Sequence, residues 1–166
     1  TVNVNVYVTP TIDAGSSFTI CAGDTAVLAG VVSPFDTSLV IDWTPHNSTL
    51  TDTSILNPGA FPVDTTMYYL TVFDTIGCAA LSDSVIVNVN ANPIADFIAD
   101  TVCGDTVSTL ISTTIGALTW SSPGYINQTG SPVNFDFGSG GNYNVTLVAD
   151  NGGCLDTIMY TVTVDS

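Results

Sequence analysis

Three residue types in this 166-residue chain carry side chains suited to chemistry near neutral pH: four cysteines (Cys21, Cys78, Cys103, Cys154), fifteen aspartates and one histidine, His46. Lys, Arg and Glu are absent. The cysteines stand 57, 25 and 51 positions apart and no Cys-x-x-Cys pair occurs, which disfavours a zinc site. Disulfide bonding is the chemistry that remains for them. The aspartates gather in turns, where carboxylate and carbonyl oxygens could hold Ca²⁺ and relieve repulsion, with Asp100 and Asp105 as the candidate ligands. No EF-hand loop or other dense Asp-x-Asp run is present, so diffuse counterion screening is the expectation and no cofactor is required. His46 follows Pro45 in a loop, and spacing assembles no nucleophile, base and orienting group around it. Asp136-Phe137-Gly138 matches a kinase tripeptide, but no lysine or glycine-rich loop accompanies it. The chain reads as non-enzymatic.

The elements that position these residues are strands. Glu is missing and Gln128 is the only glutamine, so residues that sustain helices are scarce, while Thr, Val, Ser and Asn dominate. The fold class is all-β. A formal charge of −15 with no basic residue leaves every carboxylate to turns, backbone N–H groups, water and counterions. Nucleic acid is excluded as a partner because its phosphates require Lys and Arg, and an anionic membrane is excluded on the same ground. No apolar run is long enough to span a bilayer, no signal peptide is evident and no Met begins the chain, which therefore reads as a mature product or a piece of a longer protein.

One stretch occurs twice. Met67-Tyr68-Tyr69-Leu70-Thr71-Val72-Phe73-Asp74-Thr75-Ile76-Gly77-Cys78 returns as Tyr143-Asn144-Val145-Thr146-Leu147-Val148-Ala149-Asp150-Asn151-Gly152-Gly153-Cys154, and each copy runs into a second alternating segment. That is the pattern of a β-hairpin. Cys21 and Cys103, Trp43 and Trp120, and Cys78 and Cys154 recur at offsets of 82, 77 and 76, as two repeats with shorter loops in the second would give. Residues 1–9 alternate like the last strand of a repeat, so they read as the closing strand of a preceding one. Residues 10–90 and 91–166 form the two repeats.

Strands are expected over 17–21, 25–32, 39–43 and the hairpin 67–90 in the first repeat. The second has them over 94–103, 107–112, 118–120, 133–137 and the hairpin 143–164. A Trp on the third strand and a Tyr-bearing sixth strand indicate immunoglobulin-like sandwiches. Asn90-Ala91-Asn92-Pro93 is too short for a flexible linker, so the sandwiches are expected to stack end to end. Tyr68, Tyr69, Tyr143, Trp43 and Trp120 are assigned to core packing.

Ile20-Cys21-Ala22-Gly23-Asp24-Thr25-Ala26-Val27-Leu28, Trp43-Thr44-Pro45, Tyr68 to Val72 and Gly77-Cys78 together resemble the tandem Ig-like and PKD-like repeats of large secreted surface proteins and gliding-type adhesins of Bacteroidota. The second copy, with Phe135-Asp136-Phe137-Gly138 ahead of Asn142 to Leu147, is more similar to the PKD variant but departs from it at Ser139-Gly140-Gly141. The resemblance implies a secreted, cell-surface chain whose repeats serve as spacers or adhesive stalks. Its partners would be neighbouring repeats of the same long chain or identical subunits, with a surface or glycan ligand left open.

The strand order of such a sandwich puts the first turn and the last hairpin turn at opposite poles, roughly 23 Å apart for a seven-residue strand. That exceeds the Cα separation of about 7 Å that a disulfide allows. The favoured pairing is therefore Cys21 with Cys154 between domains, with Cys78 and Cys103 reaching neighbouring repeats; the alternative is Cys21–Cys78 and Cys103–Cys154.

Asp followed by Ser or Thr and a small or aliphatic residue recurs at Thr25, Thr65, Thr75, Ser84, Thr101, Thr106 and Thr157. It resembles the O-glycosylation acceptor of Bacteroidota secreted proteins; equally, Asp-Thr opens a strand after a turn, the carboxylate capping the backbone. Two further functions stay open: a self-assembling filament subunit donating residues 1–8 as a strand, and a carbohydrate-binding accessory module of a secreted enzyme.

Overall fold

The computed structural model describes residues 10–35, 37–74, 81–100 and 107–165. The expected strand over 1–9 and Thr75, Cys78, Thr101, Cys103, Asp105 and Thr106 lie outside them. The described residues contain no helix, and the chain divides into two compact units between Val89 and Asn90. Each is an immunoglobulin-like β-sandwich.

The described residues of the first unit form eight strands: β1 Thr11–Asp13, β2 Phe18–Cys21, β3 Ala26–Val27, β4 Val31–Ser33, β5 Leu39–Thr44, β6 Gly59–Ala60, β7 Thr66–Asp74 and β8 Leu81–Asn90. One sheet runs β2-β8-β7-β5, and the other layer consists of the pairs β1–β4 and β3–β6. Alternation decides which side chains enter the core. Tyr68, Leu70 and Val72 of β7, Val85 and Val87 of β8 and Trp43 of β5 are buried against Ala14, Leu28, Val32 and Ala60 of the other layer.

The expected strand over 25–32 is interrupted. Leu28 N donates to Pro58 O (2.9 Å) and Gly30 N to Leu56 O (3.2 Å), so the 44–58 loop supplies the partners there. Gly30 is required by that approach: a Cβ on it would sit 2.6 Å from Leu56 O and 3.0 Å from Trp43. Strand β1, three residues between Pro10 and an Asp13-capped Gly15, is too short for alternation to reveal.

The second unit has β9 Ile98–Asp100, β10 Val107–Ile111, β11 Ala117–Ser121, β12 Gln128–Thr129, β13 Val133–Asp136, β14 Gly141–Asn151 and β15 Cys154–Val164. Its sheets are β13-β10-β9 and β12-β11-β14-β15. Within the expected strand over 94–103, the described strand is β9 alone; Ala95 and Phe97 ahead of it are buried but unpaired in any ladder. The β14–β15 hairpin closes Asn151 against Cys154 through Gly152 and Gly153, both at positive φ (64° and 94°), as a two-residue type I′ turn demands.

Both tryptophans fill the centres of their cores. Phe97 meets Trp120 edge-on at 5.0 Å. Each indole satisfies its polar end on a backbone carbonyl, Trp43 Nε1 on Ile55 O (3.0 Å) and Trp120 Nε1 on Gly130 O (2.6 Å). Tyr143 Oη donates to Ser139 O (2.8 Å), the corner that fixes entry into the sixth strand of such sandwiches.

Candidate functional site

Of the Asp-Ser/Thr motifs, two place their Asp at one equivalent position of each unit. Asp83 Oδ2 accepts from Ala14 N at 2.8 Å, and Asp156 Oδ2 accepts from Ala95 N at 2.8 Å. In both units a last-strand carboxylate thus ties down the incoming chain. The Ala14 N–H, followed by the Ser84 N–H, holds the Asp83 carboxyl below the usual carboxylate range. Asp156 also accepts from Thr157 N (2.9 Å).

The following Ser84 and Thr157 hydroxyls sit on exposed residues, as do those of Thr25 and Thr65. Thr65 Oγ1 accepts from Val89 N (3.0 Å). Capping by Asp and exposure of the hydroxyl therefore coexist in the same triplets.

Several further carboxylates lean on backbone donors in the same way. Asp13 accepts from Gly15 N (2.8 Å), Asp136 from Gly138 N (3.0 Å) and Asp150 from Gly153 N (2.7 Å). Asp52 accepts from both the hydroxyl and the N–H of Ser54, which lowers its pKa. His46 Nε2 lies 2.7 Å from Asp42 Oδ1 in an exposed pair. Among the described residues no three His, Cys or Asp side chains converge as metal ligands. Asp100 stands in β9 opposite Thr109.

Cys21 and Cys154 are both disulfide-bonded. Cys21 ends β2 and opens a turn in which Asp24 N donates to Cys21 O (3.0 Å) across Gly23 at φ 92°, the geometry of a type II turn. Cys154 begins β15 directly after the Gly152-Gly153 turn, and its Sγ lies 4.0 Å from Asn90 O.

The aromatic assignments need one correction. Trp43, Trp120 and Tyr68 are fully buried, but Tyr69 is 46% exposed. Two adjacent tyrosines on a strand must face opposite ways, and Tyr68 holds the core side. Tyr143 is partly buried: its ring stacks on Phe137 at 4.2 Å, and Tyr125 meets both edge-on. Those rings are engaged with one another and form no open platform. Burial, with further contributions from Tyr143 and Asp136, raises the Tyr125 pKa. A shallow recess of about 140 Å³ lined by Asp96, Phe97, Ile98, Ile111, Ser112 and Thr113 is below the ~300 Å³ at which small-molecule sites begin.

No protein-family model matches the chain, and no curated protein does. Among solved structures, it is similar to Sidekick-1 immunoglobulin domains 1–5 (14% identity, TM-score 0.55), covering 94% of this chain and 38% of that one. The I-band fragment I67–I69 from titin matches with 15% identity and TM-score 0.58 over 93% of this chain and 65% of that one. Rst D1–D2 matches with 13% identity and TM-score 0.60 over 94% and 98%. The chain thus spans well under half of the Sidekick-1 fragment and about two thirds of the titin one. These likenesses establish the tandem Ig-like fold. No helix among the described residues is long and apolar enough to cross a membrane.

Proposed function

We propose that this chain is an extracellular structural and adhesive repeat segment, part of a stiff stalk or filament at a cell surface and of the Ig-like and PKD-like kind found in Bacteroidota adhesins. The observation that carries the reading is the pair of Ig-like units with disulfide-bonded cysteines, one closing β2 of the first and one opening β15 of the second. In this reading Cys21 pairs with Cys154 between domains 10–90 and 91–166, and Cys78 and Cys103 reach neighbouring repeats. A staple of this kind removes hinge freedom between repeats and lets force pass along the chain. The exposed Thr25, Thr65, Ser84 and Thr157, with Thr75, Thr101 and Thr106, are its proposed O-glycosylation positions.

Non-reducing peptide mapping of the native protein tests it directly. A Cys21–Cys154 cross-linked peptide is the expected result. Recovery of Cys21–Cys78 and Cys103–Cys154 would overturn the stapled-stalk reading. The self-assembling alternative has residues 1–8 donated as a strand to the open sheet edge of a neighbour. A denatured, reduced native mass near 17.2 kDa would move that alternative ahead of a long stalk.

A further inference from the structure

The outward faces of β5 and β7 carry Val40, Asp42 and Thr44 beside Met67, Tyr69, Thr71 and Phe73, the two strands being paired Val40↔Phe73, Asp42↔Thr71 and Thr44↔Tyr69. Val40, Met67, Tyr69 and Phe73 are 37%, 41%, 46% and 38% exposed. The second unit supplies an internal control. A single shift of 77 positions carries Trp43 onto Trp120 and its cross-strand partner Leu70 onto Leu147, so both strands superimpose in register. At the outward positions the second unit has Ala117, Asn144, Thr146 and Asp150 where the first has Val40, Met67, Tyr69 and Phe73. The fold therefore does not ask for apolar side chains there. Exposed apolar surface that folding does not require marks an interaction site.

We propose that this face of the first unit docks a basic protein partner, its Arg and Lys side chains lying across Tyr69 and Phe73. Electrostatics selects the occupant. A second copy would bring fifteen more carboxylates and no cation, so like charges would oppose each other across the face. A basic surface meets a chain of net charge −15, with Asp42 in the middle of the apolar stripe, and supplies guanidinium groups that stack on aromatic rings and aliphatic stems that cover Met67 and Val40. The inference holds for a stalk and for a filament subunit alike.

The test is isothermal titration of the full chain, at about 150 mM salt, with a synthetic peptide of repeated Arg-Leu-Ser, against a variant carrying M67N, Y69T and F73D. These are the residues the second unit bears at the same positions. The variant is expected to bind about tenfold more weakly or worse, although it carries one more carboxylate. Attraction by net charge alone predicts equal or tighter binding, and that result would overturn the proposal, as would no binding by the natural chain. Y69T alone, expected to weaken binding severalfold at unchanged melting temperature, separates lost contact from lost folding. Self-association of the natural chain in sedimentation, abolished by the triple substitution, would also overturn it by making the occupant a second copy.

Discussion

Removing the Asp83 carboxylate is the sharpest probe of how this chain holds itself together without basic residues. Ala14 is fully buried, and its N–H has the Asp83 carboxylate as acceptor at 2.8 Å. Asp83→Ala leaves that donor unsatisfied, which costs about 1–3 kcal/mol; because the carboxylate itself reaches solvent, about 1.5 kcal/mol is the working figure. At about 4–8 °C per kcal/mol for a domain of this size, the first unit should melt about 6–12 °C lower. Asp83→Asn keeps an acceptor oxygen and loses only the charge assistance, so it should cost less than half as much.

Acid sharpens the distinction. The folded-state pKa of Asp83 lies below its unfolded value, so its contribution is complete above about pH 4 and fades as pH falls further through the folded pKa. Differential scanning calorimetry between pH 7 and pH 3 should show the gap between the natural chain and the Asn variant closing with acidification. An Asn variant as destabilised as the Ala variant, or an Ala variant melting within about 2 °C of the natural chain, would refute the clamp.

Other substitutions report on separate parts of the fold. Gly30→Ala drives a methyl into the Leu56 carbonyl and the Trp43 ring and should cost the first unit about 2–3 kcal/mol by chemical denaturation. Trp120→Phe abandons the Gly130 carbonyl and opens space beside Phe97, for about 2 kcal/mol in the second unit, read by its own unfolding transition. Tyr143→Phe removes the hydroxyl held by Ser139 O while leaving the Phe137 stack, and should cost about 1 kcal/mol in the same assay. Tyr160 donates to Asp96 Oδ1, and that bond raises its pKa; the stability it adds is complete below about pH 10 and is lost as pH climbs through the raised value, which Tyr160→Phe should abolish in alkaline melts.

Long alternating strands were legible in the sequence because a two-residue period needs only one side chain in two to be apolar: β7, β8, β14 and β15 all lie where Val, Thr and Tyr alternate. The strands that escaped, β1 and β12, are three and two residues long, too short to carry a period, and the break in 25–32 depends on loop carbonyls brought from 56 and 58. Residue type assigns Tyr69 to the core, because an aromatic on a strand buries well. Its direction is a matter of parity relative to Tyr68, which only the packed sheet settles.

The sequence by itself determined the class and the plan of this protein: all-β, two Ig-like repeats, and carboxylates with no Lys or Arg to answer them. Composition and short-range spacing suffice for that, since propensity, turn chemistry and net charge are properties of neighbouring residues. Tertiary structure alone decided that Asp83 and Asp156 clamp Ala14 and Ala95, that Gly30 and the indole nitrogens meet carbonyls from distant loops, and that β5 and β7 turn Val40, Met67, Tyr69 and Phe73 outward where β11 and β14 of the other unit carry Ala117, Asn144, Thr146 and Asp150. Each of those joins residues ten to about seventy positions apart, and such partners become neighbours only when two sheets close over one core.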